Sequence, residues 1–138
     1  MGHRRHTQRI RSERGQAAVE FALVAPLLIA LLLAVLEVGI AFNNYITVTD
    51  AARAGARKAV VARVAGLSTT DITQAVQAAA QNLDPGQLGV SVADPTDPTW
   101  TTPGSDITVT VTYPYSINVL GWVVASGNLT STMTDRLE

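Results

Sequence analysis

Apolar residues dominate one long stretch near the start of the chain. Phe21 to Leu36 is sixteen residues without a charge, and after Glu37 the apolar pattern continues to Phe42. As an α-helix these 22 residues rise about 33 Å, enough to cross a hydrocarbon core of about 30 Å. The apolar region of a signal peptide is shorter, about 7 to 15 residues, and ends at a small-residue cleavage site. The pattern therefore predicts a retained membrane span.

Helix-forming residues continue beyond the span. Residues 43–66 contain no proline, are rich in alanine and arginine, and meet their first terminator at Gly66. If helical throughout, Gln16 to Gly66 rises about 77 Å, so the helix must extend outside the membrane. Its weakest part is Asn43 to Asp50, where residues of low helix propensity cluster. A break or bend there is left open by the sequence.

After Gly66 the pattern changes to one short helix and three strands. Ser68 to Asp71 supplies N-cap residues, and apolar residues then recur at helical spacing as far as Leu83. Three alternating segments follow, beginning near Leu88, Ile107 and Leu129, each with one apolar face. We therefore predict an α+β fold: a long transmembrane helix extended outside the membrane, a short second helix and a small three-stranded antiparallel sheet covered on one side by helix.

The segment between the last two strands, Pro114 to Gly127, does not fit this alternation. It is apolar but interrupted by Pro114 and Gly121, which makes it too irregular for a strand and too apolar for a solvated loop. We expect it to fold over the sheet as part of the core. A docking patch for a partner is the alternative.

Positive charge is concentrated at the N-terminus of the chain. The formal net charge of the 138 residues is −1, but residues 1–15 carry five arginines and one glutamate, which leaves −5 for residues 16–138. Basic residues beside a span stay on the cytoplasmic side. We expect a single-pass protein of the cell membrane with a cytoplasmic N-terminus and an extracytoplasmic C-terminal region.

Composition also narrows the chemistry. The chain has no cysteine, and both histidines, His3 and His6, lie in the basic head. Without an outer cysteine or histidine to activate a serine or threonine, an anchored hydrolase is poorly supported, and no catalytic residue, metal site or cofactor is predicted. Membrane topology explains the arginines better than nucleic-acid binding does. Nothing indicates a small-molecule substrate.

The junction between the basic head and the span, RGQAAVEF, is the most specific motif. A carboxylate at the edge of a membrane helix is costly if buried, so Glu20 is either solvated among the headgroups or paired. If the chain were cut after Gly15, Glu20 would be the fifth residue of the mature protein. The new amine of Gln16 would then supply a cation for the Glu20 carboxylate of an adjacent copy.

At this junction the sequence resembles a type IV prepilin, whose leader ends in Gly and whose fifth mature residue is Glu. Within that superfamily it resembles the TadE group, minor pseudopilins of the tight-adherence (Flp) pilus system. The resemblance is carried by Arg14 to Gly39 and by AARAGAR, Ala51 to Arg57, and extends more loosely to the C-terminal sheet. It implies that a membrane prepilin peptidase cuts between Gly15 and Gln16. N-methylation, usual where the first mature residue is Phe, is not implied for Gln16.

The resemblance also implies a set of residues that pack helices in an assembly. They are Phe21, Pro26, Glu37, Gly39, Ala52, Arg53, Gly55, Ala56 and Arg57. Most of them also have a simpler structural explanation: a tolerated kink at Pro26, a snorkelling carboxylate at Glu37, ordinary close packing of the small residues from Ala52 to Ala56, and solvated arginines.

The predicted organisation is a basic prepilin-type leader (1–15), a transmembrane and extended helix (16–66) and a small extracytoplasmic α+β domain (67–138). The expected function is that of a non-enzymatic minor pseudopilin that helps assemble a tight-adherence pilus for surface attachment. Its expected partners are the membrane, the prepilin peptidase, other pilins or pseudopilins and the pilus assembly machinery. The alternative is an unprocessed single-pass membrane-anchored binding module with an extracytoplasmic docking domain.

Overall fold

A computed structural model describes residues 6–93 and 102–137. Its elements are α1 (His6–Val60), α2 (Ala62–Ala65), α3 (Thr69–Ala79), β1 (Gly89–Ala93), β2 (Asp106–Val119) and β3 (Trp122–Arg136). The strands form one antiparallel sheet in the order β1-β2-β3. The predicted α+β class, with its long N-terminal helix and three-stranded antiparallel sheet, is confirmed.

Helix α1 is continuous through Pro26 and through the weak stretch. The Thr47 hydroxyl donates to the Asn43 carbonyl at 3.2 Å, and the Thr49 hydroxyl donates to the Tyr45 carbonyl at 2.9 Å. These bonds satisfy the threonine hydroxyls inside the helix, where they would otherwise favour competing backbone conformations. No break occurs between residues 43 and 50. After Val60 a one-residue interruption leads into α2, a single turn that ends at Gly66 in the left-handed conformation, with φ 65°.

The two halves of α1 have opposite surroundings. Fourteen large apolar side chains between Val19 and Phe42 are exposed, whereas Val48 is fully buried. From Val48 onward one face of α1 packs against α3 and the sheet, and its small residues, mostly alanine, allow the backbones to approach closely. The change from exposed to buried therefore falls just beyond the predicted span.

The core lies where α1, α3 and one face of the sheet meet. Its buried side chains are Val48, Ala51, Ala52, Ala56, Ala59, Ala62, Ile72, Val76, Ala80, Leu83, Ile107, Val109, Val111 and Leu137. The opposite face of the sheet carries threonine pairs whose hydroxyls hydrogen-bond across β2 and β3, Thr108 with Thr134 at 2.9 Å and Thr110 with Thr132 at 3.1 Å. The sheet is thus apolar on the helix side and polar on the other.

The expectation that Pro114 to Gly127 folds over the sheet is wrong. Strands β2 and β3 continue to pair beyond the end of β1, from Pro114 opposite Asn128 to Val119 opposite Trp122, with one register shift at Ile117/Asn118. The two-residue turn Leu120-Gly121 has φ values of 52° and 86°, the left-handed pair that a tight hairpin needs. Pro114 is tolerated because β1 pairs with β2 only as far as Thr112.

Candidate functional site

The junction at the start of the span is helical and open. The Gln16 side-chain Nε2 donates to Glu20 Oε1 at 3.0 Å, one helical turn away. Both side chains are exposed, and a Cβ added at Gly15 would meet nothing within 4 Å. The Glu20 carboxylate is therefore held beside residue 16 through one oxygen and remains accessible to a second donor. The Gly15–Gln16 peptide bond is equally accessible, although the helix must unwind locally before a peptidase can bind it extended.

The middle of α1 is long and apolar enough to cross a membrane. Of the predicted packing residues in this part, Phe21 and Pro26 are exposed and Glu37 is half-buried, while Gly39 has nothing within 4 Å of where a Cβ would be. The surface around these four positions is largely left to lipid or to another helix.

The outer part of α1 separates the other predicted packing residues into two groups. Ala52, Gly55 and Ala56 are buried in the chain's own core. A Cβ on Gly55 would lie 2.6 Å from Val76 Cγ2, closer than real Cβ atoms approach, and 3.0 Å from Val109 Cγ1, which is an unusually tight contact. The small residues are therefore used for contacts within the chain.

Arg53 and Arg57 lie on the exposed side of the same turns. Arg53 Nη1 pairs with Asp50 Oδ1 at 3.0 Å, as the i,i+3 spacing predicts, in a solvent-exposed contact worth about 0–1 kcal/mol. Both arginines line an open groove between α1 and β3, together with Ala56, Met133, Thr134 and Asp135. A groove this open, with charges of both signs at its rim, suits contact with a polar surface better than enclosure of a small molecule.

The start of α3 is fixed by a capping box. The Ser68 backbone N–H donates to Asp71 Oδ2 at 2.7 Å, and the Ser68 hydroxyl is 2.7 Å from the same oxygen. In return, the Asp71 backbone N–H donates to the Ser68 hydroxyl at 3.4 Å. The backbone hydrogen bond first, then the hydroxyl, hold the pKa of Asp71 below its ordinary value, with a smaller contribution from the positive charge of Lys58.

Two features of the candidate site were missed by the sequence. Asp135 faces the arginine groove although it lies 78 positions from Arg57, and no sequence pattern links the two residues. The end of the β2–β3 hairpin exposes large apolar side chains that were expected to be core. Across residues 6–93 and 102–137, no group of three or more histidines, aspartates or glutamates is placed to hold a metal ion.

The fold and these surfaces define a class: a small α+β unit built directly onto a helix that can cross a membrane. Residues 15–57 match the family model of TadE-like proteins, which confirms the predicted resemblance. Over this segment the chain is similar to TadE-like proteins. The match covers the span and the alanine-rich part of α1 but not α3 or the sheet. No curated protein and no solved structure matches the chain.

Proposed function

We propose that the protein is a minor pseudopilin of a tight-adherence pilus, a structural component without enzymatic activity. In this proposal residues 1–15 are a leader, a prepilin peptidase cuts between Gly15 and Gln16 at the cytoplasmic surface, and the product helps assemble a pilus used for attachment. The observation that carries the proposal is the TadE-like match, which begins at Gly15, the residue before the proposed cut.

The local properties of α1 around Gly15 favour cleavage by a peptidase. A glycine inside a helix weakens it by about 1 kcal/mol relative to alanine, which lowers the cost of local unwinding. Nothing packs on Gly15, so no tertiary contact opposes that unwinding. The upstream arginines, among them Arg9, Arg11 and Arg14, would hold the site against the anionic inner leaflet.

Assembly would use the carboxylate of Glu20. Cleavage creates an amine on Gln16, and Glu20 already lies beside that residue through the 3.0 Å bond to its side chain. Its open oxygen can accept from the amine of an adjacent copy. In a low-dielectric surrounding, pairing opposite charges offsets the cost of holding either one there. Pairing the Glu20 carboxylate of one copy with the Gln16 amine of the next would thus bring neighbouring helices into register.

Further contacts would come from the outer half of α1. Ala52, Gly55 and Ala56 are occupied within the chain, so on these turns a neighbour meets Arg53 and Arg57. We propose that an acidic or hydrogen-bonding segment of another pilin or of the assembly machinery binds these arginines at the groove beside β3.

The cleavage test is the mass of the mature N-terminus after coexpression with a prepilin peptidase. The expected product begins at Gln16. Gly15→Val should block cleavage, because a branched side chain would fill the space that glycine leaves open before the scissile bond. The matched control is Gly39→Val, at a glycine of the same helix that also has open space around it. A wild-type chain that still begins before Gln16 contradicts the proposal.

The assembly test compares two carboxylates on one helix. Glu20→Gln keeps a hydrogen-bonding group but removes the charge, so it should leave cleavage intact and reduce the number of pili per cell. Glu37→Gln is the control, since Glu37 is far from the new amine. Normal piliation with Glu20→Gln would rule out the proposed amine pairing.

A second candidate function is an unprocessed membrane-anchored binding module. It is favoured by one observation, the exposed apolar end of the β2–β3 hairpin, which is a docking surface that does not depend on cleavage. The same mass measurement separates the two, because this candidate retains residues 1–15.

A further inference from the structure

The end of the β2–β3 hairpin carries an exposed apolar cluster. Leu120, Trp122, Val123 and Val124, called here the apolar tip, are each at least 61% exposed. No charged residue occurs from Ile107 to Thr134, which covers nearly all of both strands. A surface of this kind is costly in water and needs an apolar partner.

Contacts at both ends of the sheet show in which direction the hairpin extends. Val109 packs against α1 at Gly55. Farther along β2, the Tyr113 hydroxyl lies 3.5 Å from the Asp84 backbone N, while Asn82, two residues earlier, donates to the Thr47 hydroxyl at 3.3 Å. At the other end of the sheet, Asp135, which pairs with Ile107, lies near Arg57. As residue numbers rise along β2, the nearby α1 residues fall in number, so β2 leads the hairpin back toward the span.

The hairpin is long enough to reach the membrane surface. From Val109 to Leu120, eleven residues of strand extend about 36 Å. From Gly55 back to Phe42, at the outer end of the span, thirteen residues of helix measure about 20 Å. At any tilt of up to about 55° between strand and helix, 36 Å projects to at least 20 Å, which is enough to bring the tip to the level of Phe42.

The turn itself adds an independent observation. Leu120 has φ 52°, a conformation in which asparagine, aspartate or glycine is usual and a large apolar residue is rare. Its side chain is 63% exposed, so no packing within the chain explains the choice of leucine. An unfavourable backbone position that is occupied by an exposed apolar side chain indicates a contact outside the chain.

We propose that the apolar tip inserts into the outer interfacial layer of the same membrane that α1 spans. Tryptophan favours the headgroup boundary, where its ring is in an apolar surrounding and its N–H remains hydrated, and the adjacent leucine and valines enter the upper acyl region. From Ile107 to Thr134 the hairpin carries no charge that would oppose this insertion. The proposal requires that α1 cross a membrane, but not that the chain be cleaved or assembled into a pilus.

The test measures the depth of Trp122 in lipid. Full-length protein with Trp100→Phe, which leaves Trp122 as the only tryptophan, is reconstituted at high dilution into vesicles of phosphatidylethanolamine and phosphatidylglycerol. A matched set of vesicles carries lipids brominated near the headgroup end of the acyl chain. We expect brominated lipid to quench Trp122 severalfold more strongly than the control tryptophan of Trp100→Phe/Trp122→Phe/Thr134→Trp. Thr134 is exposed at the far end of the same hairpin.

A second test changes the height above the membrane of the outer unit, which is the folded part of the chain from Val48 onward: the end of α1, α2, α3 and the sheet. Seven alanines inserted after Phe42 lengthen α1 by two turns, which raises the outer unit by about 10 Å with a rotation of only about 20°. Quenching of Trp122 should then fall to the level of the control, while the thermal unfolding of the outer unit stays unchanged. If quenching persists after the insertion, the tip is not positioned by its reach along α1 and the proposal is overturned.

A second copy of the chain is the competing occupant. In that case Trp122 emission would shift to the blue only as the protein-to-lipid ratio rises, without quenching by brominated lipid, and the proposal would fail. Equal quenching of Trp122 and of the control tryptophan would also overturn it. Val124→Glu, which places a charge in the tip, should abolish the excess quenching, whereas Thr132→Glu, in the same strand but far from the tip, should preserve it.

Discussion

Gly55 is a residue at which α1 packs tightly against α3 and β2. Because a Cβ there would lie 2.6 Å from Val76 Cγ2, Gly55→Ala should force α1 away from α3 and β2. The expected loss is about 1–3 kcal/mol in the free energy of unfolding, typical of overpacking a tight core. Thermal unfolding in detergent, followed by near-ultraviolet circular dichroism, measures it.

Gly39→Ala is the matched control for this prediction. It changes a glycine in the same helix with open space around it, so it should leave the unfolding temperature of the outer unit unchanged. Equal unfolding temperatures for Gly55→Ala and wild type would show that the contact relaxes without cost.

Asp71 gives the fold a defined response to acid. Because hydrogen bonds to its charged form lower the pKa of Asp71 in the folded state, folding favours the ionised carboxylate. Its contribution is complete above the ordinary aspartate value and is lost as the pH falls through the lowered folded-state value. We expect Asp71→Asn to destabilise the protein at neutral pH and to bring its stability closer to wild type in acid.

Unfolding temperatures across a pH series test this prediction. Asp106→Asn, which removes an exposed carboxylate at the start of β2, is the control. Its unfolding temperature should fall in acid as much as that of the wild type. A constant gap between Asp71→Asn and wild type at every pH would contradict the assignment.

Among the elements, the β2–β3 hairpin combines antiparallel pairing along nearly its whole length with an unfavourable turn. Leu120→Asn should relieve the left-handed conformation, which costs an ordinary residue about 1–2 kcal/mol, and should therefore raise the unfolding temperature. Leu120→Ala keeps a Cβ in the same conformation without the asparagine advantage, so it should give no such gain. A lower unfolding temperature for Leu120→Asn would mean that the leucine stabilises the isolated chain.

The elements that the sequence predicted well are those with one buried face. The alternation around Ile107 to Val111 and around Met133 predicted strands, because half of each strand contacts α1 or α3. Ser68 and Asp71 predicted the start of α3 because capping depends only on neighbours in sequence. Pro114 to Gly127 failed because two strands that pair mainly with each other need no buried face, and Leu-Gly is not a usual turn signal.

The continuity of α1 could not be predicted from propensity alone. Asn43 to Asp50 is a poor helix former, but burial of Val48 in the core outweighs that weakness. Of the candidate site, the Glu20 junction could be proposed from the sequence because its residues lie within one helical turn of each other. The arginine groove and the apolar tip depend on how the sheet lies on α1, which no local pattern encodes.

For the whole molecule, the outer fold includes part of α1. Among the residues whose burial the structure describes, fourteen form the core, and six of these, from Val48 to Ala62, belong to α1 or α2. A fragment of residues 67–138 lacks them and should show no cooperative unfolding. A fragment of residues 44–138, which restores this stretch of helix, should unfold cooperatively. Calorimetry of the two fragments tests the prediction, and a cooperative transition in the shorter one would contradict it.

Because α1 passes from its exposed apolar half into the core without a linker, the orientation of the sheet and α3 is tied to that of the apolar half. Each residue of α1 turns the chain by about 100°. The rotation of the predicted span about its axis therefore determines the direction in which the hairpin and the arginine groove face. Torque or axial tension applied at Glu20 would be transmitted to the outer surface without slack. A partner that binds the apolar half of α1 and turns it would therefore also turn the hairpin and the arginine groove.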